Sequence, residues 1–121
     1  MLMTLIKLYI VLCLLGTVTT EHAYAPHYAK GVMERVSHNR NMPVVPCMIA
    51  SPTLPIGAWV WVYGKGTGAL QHCRVTDTSA PRDKARHIRL KRVELSYSAA
   101  QVLCSTMRGK PEECEILVIR V

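Results

Sequence analysis

Between Ala58 and Tyr63 the chain reads AWVWVY with strict alternation. Val60 and Val62 fall on one face, and Trp59, Trp61 and Tyr63 on the other. A period of two marks a half-buried strand. Gly64 to Gly68 supplies a turn, and Leu70 to Thr76 returns as a second strand with Cys73 and Val75 on one face. A glycine-rich turn that joins two strands is a hairpin; a phosphate loop would need a helix after it. Ile88 to Leu95 predicts a third strand. Ser96 or Ser98 caps a short helix that runs through Leu103, with Ser98 and Gln101 at capping-box spacing. Glu115 to Val121 is apolar on both faces, which predicts a strand with neighbours on both sides. Cys47 to Ala50 predicts a brief strand among Pro43, Pro46, Pro52 and Pro55. Residues 21–42 are polar with scattered apolar positions and read as an N-terminal arm with at most one short regular piece. Several short strands and one helix predict a small mixed barrel rather than a sandwich.

The first segment has a different character. MLMTLIKLYIVLCLLGTVTT carries one lysine, an apolar run from Leu8 to Leu15, then Gly16 and hydroxyl residues. That is the layout of a secretory signal peptide over residues 1–20, with cleavage placed between 20 and 25. An uncleaved anchor is the rival reading, since Leu2 to Val18 is at the short end of a spanning length. Loss of Lys7 and of no acid takes the net charge from +7 to +6. The remaining chain suffices for one domain with a small core, and such domains often rely on covalent staples. Four cysteines follow the leader: Cys47, Cys73, Cys104 and Cys114. An even count behind a signal peptide predicts two disulfides, with three connectivities open. Cys104–Cys114 is favoured because it ties the end of the helix to the start of the last strand, which leaves Cys47–Cys73. Each would contribute roughly 3 kcal/mol in the chain-entropy model. No CxxC or HxxxH pairing is present and the histidines are scattered, so no metal site is expected.

Two acids stand at the ends of strand-like runs. Asp77 enters a Ser/Ala/Pro turn, and Glu94 arrives just before the helix. A compact β fold can bring two such carboxylates together. Each also has a plain structural use: Asp77 can bond its own turn, and Glu94 can offset Arg89, Lys91 and Arg92.

Four segments together resemble a family. They are Thr53-Leu54-Pro55-Ile56-Gly57, then Trp59-Val60-Trp61-Val62, then Cys73-Arg74-Val75-Thr76-Asp77, then Val93-Glu94-Leu95-Ser96 with Ala99-Ala100. In that order they resemble the rare lipoprotein A (RlpA) family, whose barrel is shared with expansins and barwin-like proteins. The resemblance covers about 47–103 and implies a mainly β fold, a six-stranded double-psi β-barrel with one or two short helices, over 43–121. It implies action on a cell-wall glycan, as a peptidoglycan lytic transglycosylase or, like expansins, without hydrolysis. Carried over, Asp77 and Glu94 line one groove as the acid pair. Glycosidic cleavage needs a carboxylic acid to protonate the leaving oxygen, and two close carboxylates would raise one pKa. In lytic chemistry the sugar's own hydroxyl attacks, so no water-activating base is needed.

Three departures from the pattern favour a binding role instead. Ser51-Pro52 stands where RlpA sequences tend to carry a histidine before TLP. Ser79 stands where expansins place an aromatic, and Glu94 replaces the usual aspartate. No second wall-binding domain is expected from these residues. The alternative is therefore a non-catalytic double-psi barrel that binds glycan or a protein. Ser79 and Arg82, with the exposed-face Trp59 and Trp61, are the candidate substrate contacts. Residues 82–92 hold six Lys/Arg and one Asp, a segment suited to an anionic wall polymer or to lipid headgroups. Nucleic acid is not expected for a secreted, disulfide-bearing chain, and neither reading calls for a cofactor.

Overall fold

The computed structural model describes Leu5 and residues 19–120. The signal-peptide expectation for 1–20 therefore lies almost wholly outside the described residues. Eight strands and three short helices follow in chain order. They are β1 (Thr19–Ala25), α1 (Val32–Asn39), β2 (Met48–Ala50), β3 (Trp59–Gly64), β4 (Leu70–Asp77), α2 (Pro81–Arg89), β5 (Glu94–Leu95), α3 (Tyr97–Leu103), β6 (Thr106–Met107), β7 (Lys110–Pro111) and β8 (Cys114–Arg120).

The fold is mainly β. Six strands form one curled half-barrel in the order β1-β8-β3-β4-β2-β5, and β6 and β7 make a separate hairpin. β2 runs parallel to β4, while the other neighbouring strands in the large sheet are antiparallel. The two edges of the sheet are joined where the chain leaving β1 passes the chain entering β5. Tyr24 N–H donates to Lys91 O, Val93 N–H to Tyr24 O, Leu95 N–H to Pro26 O and Tyr28 N–H to Leu95 O, all at 2.8–3.2 Å. This linkage satisfies edge groups that would otherwise offer an unpaired ladder.

Alternation explains the core. Val60 and Val62 of β3, Cys73 and Val75 of β4, Ile49 of β2, Leu95 of β5, and Ile116 and Val118 of β8 all point inward. Ala99, Ala100 and Leu103 of α3 close one end. β8 lies between β1 and β3, as its two apolar faces predict. Ser96 caps α3 by accepting from Ala99 N–H at 3.2 Å, so Ser98 falls inside the helix and its capping-box spacing is unused. Gly64 marks a close approach, since a Cβ there would lie 2.0 Å from the Leu103 carbonyl oxygen. Cys47 is bonded to Cys73, and Cys104 to Cys114.

Several elements differ from the sequence reading. Among the described residues there are three helices of seven to nine residues, where one or two were expected. The segment read as an arm supplies β1 and α1. Met33 of α1 packs on Met48 and Ala50, with Tyr28 and Val45 at the edge of this second, smaller core. The basic segment is a helix, and the strand expected over 88–95 shrinks to Glu94–Leu95. Pro81 occupies the first helical turn, Asp83 sits near the positive end, and Arg86, His87 and Arg89 sit near the negative end. Each placement favours a helix.

Candidate functional site

The topology brings the two candidate acids to one level of the sheet. β2 lies between β4 and β5, and Ala50 pairs with Asp77 on one side and with Glu94 on the other. Two strand spacings put their Cα atoms about 10 Å apart. Directly paired residues share a face, and Ala50 belongs to the small core beneath α1. Both acids therefore stand on the outside of the barrel, at the rim of that core. A register shift between Ile49 and Ala50 brings Asp77, rather than Thr76, opposite Ala50.

Asp77 is held by three donors. Tyr28 Oη donates to Oδ2 at 2.7 Å, Arg40 Nη2 to Oδ1 at 2.9 Å, and Thr78 N–H to Oδ1 at 2.9 Å. Tyr28 comes from the chain after β1, and Arg40 caps the C-terminus of α1. Asn41 takes the left-handed conformation there (φ 55°), while Met42 N–H returns to Ser37 O. This helix stop aims Arg40 over the end of β4. Burial, and then the hydrogen bond to Asp77, push the Tyr28 phenol well above its ordinary 10. Tyr28 thus stays protonated and keeps donating. The charge of Glu94 acts on Tyr28 in the same direction.

Glu94 has a different neighbour. Its Oε1 lies 3.9 Å from His87 Nδ1, and its side chain is 26% exposed. His87 is the buried position of α2, and its Nδ1 also shares a 2.6 Å hydrogen bond with Ser79 Oγ. Because hydroxyl and carboxylate approach the same ring nitrogen, the group is not a nucleophile–base–acid relay, which needs one partner on each nitrogen. Ser79 is 7% exposed and acts here as a partner of His87.

The other candidate contacts lie apart. The Arg82 side chain is 89% exposed at the start of α2, with Asp83 3.8 Å away. Trp59 and Trp61 stand on the outer face of β3, as the alternation predicts, and enclose His72 of β4. Ring centroids are 4.7 and 4.6 Å apart, with the planes near parallel. The Arg74 guanidinium lies 5.6 Å from the Trp59 centroid. The ring faces turned toward each other are therefore filled by the protein itself, which leaves edges for any ligand. Arg74 pairs with Trp59, and Asp77 lies three residues further along β4, about 10 Å away.

Tyr28, Arg40 and His87 complete the polar cluster, yet nothing in the sequence singled them out. They reach Asp77 and Glu94 from other elements, and no local spacing marks them. Among the described residues no cluster of histidine, cysteine or acid residues has the makings of a metal site. Nor is any helix among them long and apolar enough to cross a membrane. The two disulfides are typical of proteins that fold outside reducing compartments. No family model matches the chain, and no curated protein matches it.

Proposed function

We propose that this protein is a secreted, wall-associated domain of the RlpA-like double-psi type that cleaves a glycan by lytic transglycosylation. The observation that supports this most is the pairing of both acids across Ala50 on the outer face of the sheet. The geometry divides their roles. Asp77, with both oxygens accepting from Tyr28, Arg40 and Thr78, anchors the site. Glu94 has, among the described residues, a single charged contact, the 3.9 Å approach to His87, and is the group assigned to move a proton. Its proton passes to the glycosidic oxygen as the C1–O bond breaks. The sugar's own C6 hydroxyl adds to C1 and returns its proton to Glu94, and an anhydro-sugar end is released. No cofactor enters this scheme.

Incubation of the secreted protein with peptidoglycan, followed by mass spectrometry for anhydro-sugar ends, tests the reading. Glu94→Gln should lower product by roughly 10²–10⁴-fold, the usual worth of a general acid, with the thermal melt unchanged. Product from wild type and Glu94→Gln alike would remove Glu94 from the chemistry.

The non-catalytic reading rests on the Arg74–Trp59–His72–Trp61 stack, an aromatic ladder on the outer face of β3 and β4 whose ring edges are open to a ligand. Sedimentation onto walls without any anhydro product would favour it. Secretion also bears on the leader. Cleavage after Thr20 leaves Glu21–Ala25 on β8, whereas cleavage after Ala25 removes β1 altogether. We place the cut at Thr20, which N-terminal sequencing of the secreted form checks.

A further inference from the structure

The C-terminal tip of α2 exposes apolar side chains among cations. Ile88 is 46% exposed and Leu90 53% exposed, and Tyr24 of β1 nearby is 45% exposed. Single exposed apolar residues are ordinary, but here Leu90 and Tyr24 line one cleft and Ile88 another, with Lys91 common to both. Lys91 follows with φ 50°. Its N–H donates to Ile88 O at 3.2 Å, and Arg92 N–H donates to His87 O at 2.9 Å. In this helix stop the left-handed position is ordinarily glycine, because a β-carbon is strained there. A lysine in that place holds a cation at the tip against the local preference.

The cations around the tip divide by whether they have an acidic partner. Arg82 and Arg86 share Asp83, at 3.8 and 3.3 Å. Lys84, Arg89 and Lys91 make no ion pair with a carboxylate among the described residues. Lys84 and Ile88 lie four apart on α2 and share a face, and Ile88 lines a small cleft together with Lys91 just past the helix stop. Beside them a cleft of about 250 Å³ is lined by Tyr24, Leu90, Lys91, Lys65 and Glu115, with Lys65 paired to Glu115 at 3.4 Å, so Lys91 is its unpaired cation among the described residues. Cations alone suit any polyanion. Exposed Ile and Leu between them add something that a polar chain does not use and a bilayer interface does.

We propose that the α2 tip docks on an anionic phospholipid bilayer surface. Lys84, Arg89 and Lys91 face the headgroups, and Ile88 and Leu90 enter the headgroup–acyl boundary. The attraction is peripheral. Each cation near an anionic surface strengthens binding by about fivefold, so the three amount to on the order of a hundredfold. The surface is independent of the glycan chemistry proposed for the acids, and it would keep a secreted protein close to the membrane beneath a wall.

Flotation of the secreted protein with vesicles tests this. Phosphatidylcholine vesicles with phosphatidylglycerol are compared with pure phosphatidylcholine. Wild type should float with the anionic vesicles and remain behind with the neutral ones. Arg89→Gln/Lys91→Gln should weaken binding by roughly 25-fold and flatten its salt dependence. Ile88→Ser/Leu90→Ser, which leaves every charge in place, should weaken binding by about tenfold. All four positions are exposed, and circular dichroism verifies that the variants fold. Equal flotation on neutral vesicles, or none on anionic ones, overturns the proposal. Full binding by Ile88→Ser/Leu90→Ser also overturns it and assigns the surface to a soluble polyanion instead.

Discussion

Asp77 and Tyr28 show how one residue pair can hold a site open to test. The phenol donates to the carboxylate, and the chain that carries it reaches the end of β4 only because β1 is anchored along β8. Tyr28→Phe should cost about 1–2 kcal/mol at neutral pH, since a half-buried hydrogen bond to a charged acceptor is lost. It should also change the alkaline response. In the unfolded chain Tyr28 titrates at its ordinary 10, and in the folded protein it is pushed higher, first by burial and then by Asp77. The stability it contributes is therefore complete below pH 10 and is lost as pH climbs past 10 toward the folded value. Denaturant unfolding across that range should show a steeper alkaline fall in wild type than in Tyr28→Phe. At this scale the sequence revealed the acids, because a carboxylate at the end of a strand is visible locally. It did not reveal Tyr28 and Arg40, which lie 49 and 37 residues from Asp77.

Among the elements, legibility followed periodicity. β3, β4 and β8 were readable because Val60, Val62, Cys73, Val75, Ile116 and Val118 repeat with a period suited to a sheet. α1 and α2 were not. α1 buries only Met33 and Ser37, and α2 only His87, so neither shows an apolar stripe. What holds α2 is its turn chemistry, with Pro81 at the start and a left-handed stop at Lys91. Ile88 and Leu90 resembled strand residues, but they lie at the end of that helix and face solvent. Lys91→Gly should therefore stabilise the protein by about 0.5–1 kcal/mol, because glycine relieves the β-carbon at φ 50°. A higher thermal midpoint for Lys91→Gly is the expected result, and a lower one would show that the lysine makes contacts that outweigh its backbone strain.

For the molecule as a whole, a small core is stapled twice and closed by the join between β1 and β5. The two bridges are not equivalent. Cys47–Cys73 spans 26 residues inside the main core, and Cys104–Cys114 spans 10 near the β6–β7 hairpin. Cys104→Ser/Cys114→Ser should cost about 2–3 kcal/mol. Cys47→Ser/Cys73→Ser should cost more, because two hydroxyls then replace fully buried sulfurs, and the order of denaturant midpoints checks this. A mainly β, barrel-like fold was legible from several short strand-like runs with a single apparent helix. The join at Tyr24–Tyr28 was not, because parallel contacts with residues 91–95 leave no trace in local pattern. That join brings Tyr28 to the acids, so the fold and the proposed site stand together. The measurement that decides most directly is the product of peptidoglycan treated with wild type and with Glu94→Gln, both confirmed folded. Anhydro-sugar ends from wild type that vanish in Glu94→Gln are the predicted result. Wild-type protein that binds walls and releases no such ends would contradict it.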